Sequence, residues 1–186
     1  MIYNDDWCVL HIPRTSGTNF KHNAIMKYNN RVKLPEASPT ITSRLSQHNP
    51  LAYVSHLLSG QPVYAIVRHP YVRALSLYTY AMSDGPMSKL LNNPSFEEFW
   101  DVDISAYCEW SLRTTQTQFL AHPTISVKTY KMEEPMGELY KLTKVMYYKR
   151  GINALTSPMS KHNNQRNKEI AESIFKEDYS SFSYKL

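Results

Sequence analysis

The sequence predicts an α/β fold with a central parallel β-sheet flanked by helices. Three observations carry this. Residues 63–67, VYAIV, form a continuous apolar run, as expected of a strand covered on both faces. Residues 7–10, WCVL, form a second short apolar run that passes through a turn of Pro13, Arg14, Thr15, Ser16 and Gly17 into an amphipathic stretch. Strand-like and helix-like segments then alternate along the chain, which is the pattern of a parallel sheet with crossover helices.

Each element has its own signal. The first helix runs over 19–28 and ends at the polar pair Asn29-Asn30. Residues 31–47 are polar, with Pro35 and Pro39, and read as a long loop or lid. Asn49 is a candidate N-cap and Pro50 suits the first helical position. Leu51, Val54, Leu57 and Leu58 share a face, and Gly60 suits the C′ position. The second strand is 63–67, followed by a helix over 70–82 that Asp84-Gly85-Pro86 breaks. Ser95 with Glu98 spells a capping box for a short aromatic helix through Trp100. Residues 104–120 read as helix, 125–129 as a third strand and 133–148 as helix, with Pro135 in the first turn. A polar loop over 151–165 precedes a last helix over 166–177, on which Ile170 and Ile174 stack.

The 186 residues suit a single domain, 1–186, without repeats, low-complexity tracts or linkers. A net charge of +5 favours an anionic ligand or polymer as partner. No nucleic-acid motif accompanies that charge, so nucleic acid is not the expected partner. The two cysteines, Cys8 and Cys108, are too few for a disulfide framework, and Cys8 reads as a core residue of the first strand. The N-terminus lacks the order of a signal peptide, and no apolar run approaches the roughly 18 residues of a membrane span. The expected setting is therefore cytoplasmic.

The candidate chemistry lies at the two strand-to-helix junctions. The first, HIPRTSGTNF, presents free amides at a helix N-terminus, where the helix dipole favours an anion, and Arg14 adds a fork of charged donors. The second has Arg68 at the strand end and Pro70 opening the next helix. Two such junctions suit a ligand with two phosphate-like groups. The GxxxxGK[ST] loop is absent, as is an Asp at the end of the second strand to hold magnesium, which disfavours an ATP-dependent kinase. No dinucleotide fingerprint occurs. The pattern suggests metal-free chemistry on a multiply phosphorylated nucleotide.

These segments resemble the sulfotransferases that use 3′-phosphoadenosine 5′-phosphosulfate (PAPS). HIPRTSGTNF is similar to their 5′-phosphosulfate loop and VYAIVRHPYVRALSLYTY to their 3′-phosphate element. The likeness is to the carbohydrate-type family that includes heparan sulfate 2-O-sulfotransferase relatives and microbial members. QHNP (47–50), NPSFEEFW, TQTQFL, VKTYKMEE and KHNNQRNKEIAESIFKEDYSSFSY follow in family order, so the resemblance covers nearly the whole chain.

The resemblance implies a P-loop-like three-layer fold and transfer of a sulfuryl group from PAPS to a hydroxyl of a carbohydrate or small molecule, without a metal. It implies that Arg14 contacts the 5′-phosphate and bridging oxygen, that Thr15, Ser16, Gly17, Thr18 and Asn19 supply loop amides and hydroxyls, and that Arg68 and Ser76 hold the 3′-phosphate. It also implies that a loop with Lys161 and Asn163 closes over the nucleotide. Arg14 stands where the family usually has Lys, although tyrosylprotein-type members also use Arg. Its role would be electrostatic, since Arg does not give up its proton. Ser16 replaces a common Gly, implying a turn that tolerates a Cβ.

A transfer to a hydroxyl needs a base, and His suits neutral pH. His48, at the end of the polar loop and before a helix, is the expected base, and the resemblance points to the same residue; His56 is the runner-up. The alternatives are a P-loop-type small-molecule kinase and a non-catalytic binder of nucleotide or sulfated glycan.

Overall fold

The computed structural model describes residues 1–35, 48–83, 92–101, 114–147 and 158–185. The chain divides into two compact units, Met1–Arg68 with Gln116–Lys149, and His69–Thr115 with Arg150–Leu186. Mixed α/β structure with a mostly parallel four-stranded sheet is observed.

The sheet belongs to the first unit. Its strands are β1 (Ile2–Tyr3), β2 (Cys8–Leu10), β3 (Val63–Val67) and β4 (Val127–Lys131), in the order β1-β2-β3-β4. β1 pairs with β2 antiparallel; β2, β3 and β4 are parallel. Every residue of β2 and β3 is buried, whereas β4 is half open to solvent and carries Lys128 and Lys131, which suits an edge. The Cys8 thiol is pushed up to about 12 by burial, so Cys8 is an inert core residue.

β1 was not foreseen. Its hairpin turn is closed by Asn4, whose Oδ1 accepts from the amides of Asp6 (3.0 Å) and Trp7 (2.9 Å). Residues 31–47 were expected to be loop, but Lys33 bridges to Tyr3 through two backbone bonds of 3.1 and 2.7 Å. Residues 36–47 lie outside the described residues, as do Cys108, the break at 84–86, the stretch 104–113 and residues 151–157.

α1 (Gly17–Tyr28) starts two residues earlier than its sequence pattern indicates. Trp7 is buried edge-on against Phe20 of this helix and against Tyr28, with ring centroids 5.8 and 5.9 Å apart. Tyr28 donates its hydroxyl to the carbonyl of Thr143 at 2.7 Å.

The helix expected over 51–58 is split into α2 (Leu51–Val54) and a 3-10 turn, Ser55–Leu57. Pro50, not Asn49, occupies the cap position, and no side chain caps the helix. The third strand falls two residues later than expected, at β4. The His122 ring accepts from the amides of Thr124 (3.2 Å) and Ile125 (3.1 Å), which holds Ile125 off the ladder. The helix expected over 133–148 is shortened to Gly137–Thr143: a turn closes from Glu134 to Lys131 before it, and Lys144, at φ 54°, ends it.

In the second unit, α3 (Pro70–Ser83) and α4 (Phe96–Asp101) contribute to an aromatic core of Tyr78, Phe96, Phe99, Trp100 and Phe175. The capping box is realised: Ser95 Oγ accepts from the Glu98 amide (3.2 Å) and Glu98 Oε2 accepts from the Ser95 amide (2.7 Å). Of the helix expected over 104–120, α5 (Gln116–Leu120) is seen, in the first unit. Gly137–Thr143, also in the first unit, is α6. The last expected helix is two, α7 (Gln165–Ile174) and α8 (Lys176–Ser181), hinged at buried Phe175. Ile170 packs on the core, whereas Ile174 is exposed. Among the described residues no helix is long and apolar enough to cross a membrane.

Trp7→Ala removes the largest fully buried side chain from the first unit. The expected loss is about 3–5 kcal/mol, read as a lowered midpoint in denaturant unfolding.

Candidate functional site

The parallel register of Cys8 with Val63, Val9 with Tyr64 and Leu10 with Ala65 sets the ends of β2 and β3 side by side. Each strand end opens into its junction. Arg68 follows β3, is 7% exposed, and donates from Nη1 to the carbonyl of Arg14 at 3.2 Å. The two junction arginines singled out in the sequence therefore meet in one unit. Gln116 of α5 holds the Arg68 backbone from both sides: its Oε1 accepts from the Arg68 amide and its Nε2 donates to the Arg68 carbonyl, both at 2.8 Å.

The first junction is a tight turn. Thr15 is buried, and both its amide (3.4 Å) and its hydroxyl (2.9 Å) donate to the Ile12 carbonyl. Its hydroxyl thus closes the turn. Arg14 and Ser16 both take φ of 65°, the left-handed region that non-glycine residues occupy at a cost of about 1–2 kcal/mol. Ser16 is thus tolerated under strain, in a conformation that favours Gly. The amides of Asn19 (3.0 Å) and Phe20 (3.3 Å) both turn to the Ser16 carbonyl. That leaves the Gly17 and Thr18 amides without an acceptor among the described residues. Arg14 and Thr18 are exposed, and Asn19 is half-buried and accepts from Asn23 Nδ2 at 3.2 Å.

Beneath this turn lie two histidines. His11 is buried, and a Cβ on Gly17 would come within 1.9 Å of its Cδ2, so only glycine fits there. The His11 and His48 rings are tilted against each other with centroids 4.3 Å apart. His48 Nδ1 lies 3.2 Å from the His11 carbonyl oxygen. A carbonyl only accepts, so Nδ1 carries the proton, and Nε2 of neutral His48 carries the free lone pair. Burial holds His11 well below the usual histidine range. Burial also brings His48 down to about 4, and the charges of Lys21 and Arg14 act in the same direction. His56 is exposed on its 3-10 turn.

The remaining expected residues belong to the second unit. Ser76 is buried on α3. Lys161 is exposed on a 3-10 turn, Pro158–His162. Asn163 accepts the Tyr71 hydroxyl at 3.0 Å, and the His162 ring sits 4.8 Å from that of Tyr78, so this loop is anchored on α3.

Two residues of the site had no signal in the sequence. One is Gln116, whose role depends on a contact 48 positions away along the chain. The other is Tyr147, whose phenol lies beside Ser16 and Arg68. Among the described residues no group of three or more His, Cys, Asp or Glu could hold a metal. No protein-family model, curated protein or solved structure matches the chain.

The depressed His48 has a thermodynamic consequence. Its folded pKa of about 4 lies below the unfolded value of about 6.5, so the stability is fully present above pH 6.5 and lost as pH falls towards 4. The part due to His48 amounts to about 2 kcal/mol by pH 5. Melting curves at pH 7.5 and pH 5 should show this drop in the wild type and a smaller one in His48→Gln.

Proposed function

We propose that this chain is a sulfotransferase that moves a sulfuryl group from PAPS to an acceptor hydroxyl on a carbohydrate or small molecule, on a P-loop-like three-layer fold. The observation that carries the reading is the meeting of the two junctions: the Arg68 guanidinium reaches the carbonyl of Arg14, at a turn that keeps two helix amides open. A donor with phosphate groups at both ends suits such a pair of cationic junctions. Ser76, Lys161 and Asn163 keep the nucleotide-binding roles that the resemblance implies.

In the proposed reaction the acceptor oxygen attacks sulfur in line. The new O–S bond forms as the bond from sulfur to the 5′-phosphate oxygen breaks, and the acceptor proton passes to Nε2 of His48. Charge grows on the departing phosphate, where exposed Arg14 and the Gly17 and Thr18 amides supply preorganised positive potential. His48 is neutral throughout the physiological range, and its tautomer presents the lone pair needed to accept a proton.

One observation favours a second reading. A base held at about 4 takes a proton reluctantly, which also suits a non-catalytic binder of the same nucleotide.

One experiment separates the two readings. Calorimetric titration with adenosine 3′,5′-bisphosphate should give tight binding, with ATP and magnesium as the control. Arg68→Ala should weaken the bisphosphate by roughly ten- to a hundredfold, the loss of a charge-assisted contact. With PAPS and an acceptor screen, His48→Ala should lower turnover at least about a hundredfold with affinity retained. Preference for ATP would bring the kinase forward, and affinity without turnover in the wild type would favour the binder.

A further inference from the structure

We infer that Tyr147 is a ligand-contacting residue, whose hydroxyl donates to an oxyanion of a phosphate ester held beside Ser16 and Arg68. This rests on the anion-binding reading above. The Tyr147 phenol oxygen is shut off from solvent and has no well-aligned hydrogen bond, although it lies close to the Ser16 hydroxyl and the Arg68 guanidinium. Ser16 Oγ is directed at the sulfur of Met132, 3.5 Å away, which is a weak acceptor. A buried hydroxyl whose one near neighbour is poorly aligned is weakly satisfied, and such groups are rare enough to call for an explanation. An anion placed there would accept from the Tyr147 hydroxyl within the reach of the Arg68 charge.

The segment that carries Tyr147 is fixed to the site by other contacts. Lys144 turns the chain out of α6 with φ of 54°. The Thr143 hydroxyl accepts from the Val145 amide at 3.3 Å, and the Met146 carbonyl accepts from Asn23 Nδ2 of α1 at 2.9 Å. The residue before Tyr147 is therefore tied to α1. Burial raises the Tyr147 phenol above its usual range, aided by Glu133 and opposed by Ser16 and Arg68. It stays protonated at neutral pH and can donate.

Tyr147→Phe removes only the hydroxyl. Wild type and variant are titrated calorimetrically with adenosine 3′,5′-bisphosphate and, separately, with inorganic pyrophosphate, and both are melted. The expected result is a loss of about tenfold or more in affinity with a nearly unchanged melting temperature, because the hydroxyl lost has only a poorly aligned neighbour in Ser16. If the wild type binds pyrophosphate but not the bisphosphate, and the variant is weaker, the Tyr147 contact stands and the PAPS reading falls. If the bisphosphate binds both proteins equally, the PAPS reading stands and the Tyr147 contact is overturned. Binding of neither anion by the wild type overturns both. A lowered melting temperature with full affinity makes the hydroxyl structural and overturns the contact.

Discussion

The candidate site depends on the parallel register of β2 and β3. Pairing Leu10 with Ala65 brings two strand ends, far apart in sequence, to the same end of the sheet. Each end opens into a turn with an arginine, so the register alone makes one cationic corner from two. The register is secured by burial: both strands are covered on both faces, and a slip of one residue would reverse the facing of every side chain. Arg68 is then fixed at the corner by the two-sided clamp from Gln116, which satisfies the backbone groups where the ladder ends.

The corner also combines strain with electrostatics. Two non-glycine residues sit in the left-handed region, and the helix that follows leaves amides open. A turn held this way is held by its surroundings. Those surroundings are the buried His11 ring under Gly17 and the His48 ring against it. Burial keeps both rings neutral, so the positive potential at the corner comes from Arg14, Arg68 and the helix amides. The corner thus has positive potential above and neutral imidazoles below.

Much of the fold was legible because its signals are local. Val63–Val67 and Pro70–Ser83 follow from an apolar run, a Pro at the helix start and a helical apolar face. Ser95 and Glu98 form their capping box because that motif needs only four consecutive residues. The errors came where a distant or unusual partner decided the outcome. Lys33 pairs with Tyr3, some thirty residues earlier, and no polar loop pattern announces that. The His122 ring, acting as an acceptor, held Ile125 out of the strand that its sequence suggested.

The sequence by itself determined the α/β class, the central strands and the two arginine-bearing junctions, because apolar periodicity and turn chemistry act within a few residues. It also marked His48 as the histidine to watch. Only the tertiary structure decided that Arg68 reaches Arg14, that Gln116 clamps it, that Tyr147 lies near Ser16, and which nitrogen of His48 carries the proton. Each of these is a contact between residues tens to more than a hundred positions apart. Such contacts exist only after the sheet has set its register, and burial then fixes the charge of the groups it encloses.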